Sequence, residues 1–97
     1  MGLFYFEEGI TAHNNDDLDS ALESWELALR FMRPRADEEY PALWNQLLFR
    51  LGSLYYEDGQ FDQALEMLEE LSLRAPNVET TAVTAMLESI EAQLAYD

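Results

Sequence analysis

The chain has no cysteine, a single histidine, four glycines and three prolines in 97 residues, and all five of its cations are arginine. Each shortage closes a route. Without cysteine there is no disulfide, no thiolate nucleophile and no thiolate ligand, so a zinc site would have to come from one imidazole and carboxylates. His13 has no cysteine, lysine or second base nearby with which to form an activated nucleophile, and this excludes the usual covalent mechanisms. No apolar run approaches the roughly 18 to 20 residues needed to cross a bilayer, and the first residues lack the basic segment of a secretory signal. The Met1-Gly2 start resembles a myristoylation signal only as far as Phe6, which stands where Ser or Thr is required. The expectation is a cytoplasmic chain with no membrane partner.

What is abundant is negative charge. Twenty carboxylates against five arginines give a formal charge of −15, a surface that repels nucleic acid and anionic membrane. Such acidity serves solubility, attracts a cationic segment of a partner, or adapts a protein to high salt. The third use fits poorly with two Trp, five Tyr and five Phe, since halophilic surfaces trim large apolar groups. An apolar content of 48% in 97 residues suits one domain, residues 1–97, with a single core.

Apolar residues recur at helical spacing along five segments. Leu3, Phe6, Ile10 and His13 predict a helix over residues 3–14, followed by a turn at Asn14-Asn15-Asp16. Asp17 is placed to cap a second helix, whose apolar face is Leu18, Ala21, Leu22, Trp25, Ala28 and Leu29, ending at about Met32 before Pro34. In the third helix Leu43, Leu47, Phe49, Leu51, Leu54 and Tyr55 spread over more than one face, which predicts burial on two sides. Gly59 is placed for the left-handed conformation in the next turn. Phe61, Ala64, Leu65, Leu68 and Leu71 mark a fourth helix, which Pro76 ends. From Val78 to about Ala95, Val83, Met86, Leu87, Ile90 and Leu94 form one stripe, with Asn77 as the expected N-cap.

The first four segments are two copies of one unit. Gly9 and Ala21 lie twelve residues apart, and Gly52 and Ala64 repeat that interval 43 positions later. Small residues at these places let two antiparallel helices approach closely while bulky neighbours fill the flanks. With Leu48, Leu51, Gly52, Tyr55, Ala64, Leu68 and Pro76, the second copy resembles the tetratricopeptide pattern of W-x2-L-G-x2-Y, then A-x3-F, then P. In the first copy Tyr5, Gly9, Ala21 and Trp25 fit, whereas Glu8 replaces Leu, Ala12 replaces Tyr and Pro34 falls one residue late. The resemblance implies an all-α fold, a right-handed superhelix of antiparallel helix hairpins with about five helices. It places repeat one at about 2–35, repeat two at about 45–78 and a capping helix at about 78–96. A standard repeat has about 34 residues, so about nine are inserted over 34–43. The insertion either extends the third helix back to about Glu38, with Pro41 tolerated in its first turn, or forms a longer loop.

Tetratricopeptide domains bind partners on the face lined by the first helix of each repeat. Carried over by position, that face is Leu3, Phe6, Ile10 and His13 in the first copy and Gln46, Phe49, Ser53 and Tyr56 in the second. Members of the family that clamp the acidic tail of a chaperone use Lys, Asn and Arg there. Phe6, Ile10, Phe49 and Ser53 stand in those places, which excludes that ligand. The resemblance therefore implies a non-enzymatic adaptor without cofactor, metal or catalytic residues, holding a peptide or helix of another protein with apolar anchors and basic flanks. Self-association into a homodimer, through Leu3 to Phe6 or the last helix, is one alternative. A small acidic chaperone for a basic client, such as a secreted protein, is another.

Other constellations have plainer explanations. Asn15, Asp17, Asp19, Ala21, Glu23 and Glu26 match the positions of a calcium loop, but Ser20 replaces the loop glycine and the last three belong to a helix. Adjacent acids such as Glu69 and Glu70 point to different sides of a helix and offer no fixed acid and base geometry. Arg30, Arg33 and Arg35 sit where a helix C-terminus favours cations, with Asp37, Glu38 and Glu39 following as neutralising charges.

Overall fold

The computed structural model describes residues 2–35, 41–77 and 80–95. These residues form five α-helices and no strand: α1 (Gly2–Asn14), α2 (Leu18–Met32), α3 (Pro41–Glu57), α4 (Phe61–Arg74) and α5 (Thr80–Ala95), with a short 3-10 turn at Arg33–Arg35. The fold is all-α. Its Cα packing divides into two compact units, Met1–Leu47 and Leu48–Asp97, the division falling within α3.

In the first unit α1 and α2 form an antiparallel hairpin. Asp17 caps α2, its carboxylate accepting from the Ser20 backbone N–H at 3.2 Å, and thus satisfies one of the four donors a helix start leaves unpaired. α2 buries Ala21, Trp25, Ala28 and Met32, a single stripe at three- and four-residue steps. It ends where Pro34 enters the 3-10 turn. On α1 only Phe6 and Gly9 are buried, while Leu3 is exposed and Ile10 and His13 are partly covered.

The closest approach in this hairpin is between Gly9 and Trp25. A Cβ placed at Gly9 would lie no more than 2.7 Å from Nε1, Cδ1 and Cε2 of the Trp25 ring. The ring is 1% exposed, and its Nε1–H donates to the Phe6 carbonyl at 3.1 Å. The glycine therefore makes room for the indole, and the indole's one polar atom is satisfied by the neighbouring helix.

In the second unit α4 buries Ala64, Met67, Leu68 and Leu71. Gly52 of α3 faces Leu68 and Met67, with a Cβ there 2.9 Å from Leu68 Cδ2 and 3.3 Å from Met67 Cβ. α5 packs on α4 and buries Val83 and Ile90. Of the expected stripe on α5, Met86 and Leu87 are half-buried and Leu94 is 37% exposed. α3 buries Trp44, Leu47, Leu48, Leu51, Leu54 and Tyr55, which at about 100° per residue fall on one arc of about 120°, a single broad face rather than the two sides expected, with Leu43 and Phe49 half-buried. The proposed start of α3 near Glu38, the acids Asp37 to Glu39, and the residues joining Asn77 to α5 lie outside the described residues.

The two hairpin turns share four backbone hydrogen bonds at the 43-residue interval. Asp17 N–H donates to the Ala12 carbonyl at 2.9 Å and Gln60 N–H to the Tyr55 carbonyl at 2.9 Å. Asp16 N–H donates to His13 at 3.0 Å and Gly59 N–H to Tyr56 at 3.2 Å. This pair of six-to-one and five-to-two bonds is the Schellman motif, and it requires a left-handed residue just past the helix. Gly59 supplies it at φ 80° and Asp16 at φ 61°. Asp tolerates that region better than most residues with a Cβ, at some cost.

Candidate functional site

The residues expected on the partner face divide between the two units. In the first, Leu3 is exposed, Phe6 lies in the hairpin core at 4% exposure, and Ile10 and His13 are half-buried. The His13 ring rests against Trp25, centroids 5.7 Å apart. It is therefore a packing residue of the hairpin end. Gln46 is exposed. In the second unit Phe49, Ser53 and Tyr56 are half-buried. Tyr56 is held on two sides. Its hydroxyl donates to Ser89 Oγ of α5 at 2.8 Å, and its ring meets Phe61 edge-on at 5.8 Å. Along α1 and along α3 these residues share a face because they step by three and four.

A second surface of the first unit is less evident in the sequence. Phe4 and Phe31 are 55% and 50% exposed, and Tyr5 links them. Tyr5 stacks on Phe31 at 5.6 Å with planes 14° apart, and Phe4 meets Tyr5 edge-on at 5.5 Å. The start of α1 and the end of α2 thus carry an aromatic cluster open to water. From Phe4 an open depression of about 590 Å³ runs along the hairpin, lined by Glu7, Glu8, Ala12 and Glu23 with small hydroxyl residues between them. Its lining includes three carboxylates and no cation. Thr11 turns its hydroxyl back onto the Glu7 carbonyl at 3.2 Å.

The arginine cluster is partly accounted for by an aromatic contact. The Arg33 guanidinium sits 5.1 Å from the centroid of the Trp44 ring, a cation–π geometry. Arg30 lies in the last turn of α2, where the helix dipole favours it.

The carboxylates of the calcium-like pattern do not converge. Asp19, Glu23 and Glu26 ride on α2, and Asp17 is spent as its cap. Among the described residues no group of three or more His, Asp or Glu side chains is placed to hold a metal ion. No helix of the described residues is long and apolar enough to cross a membrane.

This is the architecture of an all-α protein made of helix hairpins, with partially open aromatic and acidic surfaces. Among curated proteins the chain is similar to the photosystem I assembly protein Ycf3 of Prochlorococcus marinus (strain MIT 9211), 36% identical over 62 residues, which is 64% of this chain and 32% of that protein. The chain therefore aligns with about a third of the relative's length. No protein-family model matches it, and no solved structure does.

Proposed function

We propose that the chain is a tetratricopeptide-type interaction module, with no chemistry of its own, that holds a segment of another protein during assembly of a complex. The observation that carries this reading is the repeated frame: two hairpins with the same Gly and Ala spacing and the same turn hydrogen bonds 43 residues apart. The likeness to a protein named for photosystem I assembly supports an assembly role. The right-handed superhelix and the single-domain organisation belong to the same proposal.

The partner face is the stripe Leu3, Phe6, Ile10 and His13 of α1, together with the stripe Gln46, Phe49, Ser53 and Tyr56 of α3. Leu3 on α1 and Gln46 on α3 are the exposed residues of these stripes and the expected contact points. An amphipathic or extended peptide with apolar anchors and basic flanks fits a chain of formal charge −15. The same charge disfavours nucleic acid and anionic membrane as partners, and a cytoplasmic location belongs to the same proposal. A second reading, an acidic chaperone for a basic client, is favoured by the exposed Leu3, Phe4 and Phe31. Self-association is disfavoured by the like charge of two copies.

The test is affinity purification from the native cell at low and high salt, followed by titration of the recovered partner against the variant Leu3→Asp with Gln46→Arg. Both substitutions are at exposed positions, so the hairpin core is untouched. The expected result is a stoichiometric partner whose affinity falls at least about tenfold in the variant. Unchanged affinity refutes the assigned face, and recovery of a small-molecule turnover activity refutes the module.

A further inference from the structure

The two copies differ most on one flank of the hairpin. At the 43-residue interval Phe4, Glu8, Thr11, Ala12 and Ser24 correspond to Leu47, Leu51, Leu54, Tyr55 and Met67. In the second copy these five are apolar and at most 6% exposed. In the first copy the same flank is the open depression, with Phe4 55% exposed at one end and Glu7, Glu8 and Glu23 along its sides. It lies well away from the stripe Leu3, Phe6, Ile10 and His13, roughly 140° around α1 at about 100° per residue.

We infer that this flank of the first hairpin is a docking surface for a basic amphipathic helix of another protein, separate from the partner face proposed above. The shape argues for a helix. The groove between two antiparallel helices receives the side chains of a third lying along it, and five of the eight corresponding positions of the second copy are buried, Arg50, Gln63 and Glu66 being the polar ones.

The chemistry argues for a cationic one. A buried helix of the same chemistry as the second copy's surroundings would want Leu and Tyr at positions 8 and 12, and finds Glu and Ala. The open Phe4, backed by the Tyr5 and Phe31 stack, takes an apolar anchor. Glu7 and Glu8 lie one turn further along α1, and Glu23 faces them from α2. An incoming helix therefore carries a Leu or aromatic residue followed within one or two turns by Lys or Arg, a spacing of three to eight residues. A second copy of this chain is a poor occupant, since it brings another formal −15 to a surface that is already acidic.

The test uses two fluorescein-labelled peptides of about 14 residues with the same leucine face, one with Lys and the other with Glu on its polar face. Each is titrated with the intact 97-residue chain and followed by anisotropy. The Lys peptide binds, and its affinity falls at least about tenfold between about 50 and 500 mM NaCl. The Glu peptide does not bind. Glu7→Gln, Glu8→Gln and Glu23→Gln together weaken the Lys peptide at least about tenfold, and Phe4→Ser at least about fivefold. Asp62→Asn, Glu66→Gln and Glu69→Gln remove the same charge from exposed positions on α4 and change the affinity less than about twofold.

Equal weakening by both charge triples means that only the overall charge attracts the peptide, and the proposed surface is then wrong. So is it if Phe4→Ser has no effect, or if the Glu peptide binds as well. A concentration-dependent dimer in light scattering that Phe4→Ser abolishes would make the occupant a second copy and overturn the inference. None of these outcomes depends on the partner face assigned to Leu3 and Gln46.

Discussion

Replacing Gly9 by Ala adds one methyl group at the tightest point of the first hairpin. The new Cβ meets three atoms of the Trp25 ring at no more than 2.7 Å, well inside van der Waals contact, and the ring has no free space because it is 1% exposed. Either the helices part or the indole tilts. Overpacking of this kind costs about 1 to 3 kcal/mol. A tilted ring also loses the Nε1–H bond to the Phe6 carbonyl, and a buried unpaired donor costs about 1 to 3 kcal/mol more. Alanine's better helix propensity offsets about 1 kcal/mol. The net loss is about 1 to 5 kcal/mol, a large share of the roughly 5 to 15 kcal/mol of a small domain. At Gly52 the nearest atoms are Leu68 Cδ2 at 2.9 Å and Cγ at 3.0 Å. Leu68 is buried too, but the overlap is smaller and no hydrogen bond is at stake, so Gly52→Ala costs no more than about 1 kcal/mol after the same offset. Urea unfolding followed by far-ultraviolet circular dichroism measures both. In a Trp25→Phe background the penalty of Gly9→Ala is smaller, because the indole nitrogen nearest the new Cβ and its hydrogen bond are already gone. If Gly9→Ala costs no more than Gly52→Ala, or as much in the Trp25→Phe background as in the parent, the close-packing argument fails.

The turns yield two paired predictions from the same unfolding assay. Asp16→Gly stabilises by about 0.5 to 1 kcal/mol, because a left-handed residue with a Cβ is replaced by one without. Gly59→Ala destabilises by about 1 kcal/mol, and nothing lies within 4 Å of its added Cβ, so the loss is conformational; two changes of the same sign would refute the left-handed assignment. Asp17→Ala removes the α2 cap and costs about 1 kcal/mol. Gln60 occupies the equivalent N-cap of α4 without a side-chain cap bond, so Gln60→Asn gains about 0.5 kcal/mol, and a loss there shows that the cap site is closed to a shorter side chain.

The features legible in the sequence are those set by a few neighbouring residues. Asp17 before an apolar-periodic run marks the start of α2, Pro34 and Pro76 mark ends, and Gly59 marks the left-handed turn, because each acts on its own backbone. The broad apolar face of α3 and the narrow one of α4 follow from spacing alone. What the sequence does not disclose are bonds between distant positions. The Trp25 indole reaches a carbonyl 19 residues away, and Tyr56 reaches Ser89 across 33 residues. Neither partner has a local pattern that announces it. The proposed partner face is legible as a stripe, because helical phase puts Leu3, Phe6, Ile10 and His13 on one side of α1. Depth within that side is not, since whether Phe6 is sunk and Leu3 raised depends on where α2 lies. The open aromatic cluster has a signal in hindsight: Phe4 and Tyr5 follow one another, so a single helix cannot bury both on one face.

The divergence of the two copies has a physical order. Positions on the seam between paired helices hold Gly9 with Gly52 and Ala21 with Ala64, and both alanines are fully buried. A larger residue there pushes the helix axes apart, so the seam tolerates little change. The flank positions are under no such constraint. Glu8 is exposed and Ala12 half-exposed in the first copy, whereas Leu51 and Tyr55 are buried in the second. A carboxylate at position 8 leaves the hairpin's own core intact, and it would be costly only where another apolar element covers it. Two of the places where the first copy departs from the tetratricopeptide pattern, Glu8 and Ala12, are therefore flank residues, and on the docking proposal above the departure bears on what the hairpin binds rather than on how it folds.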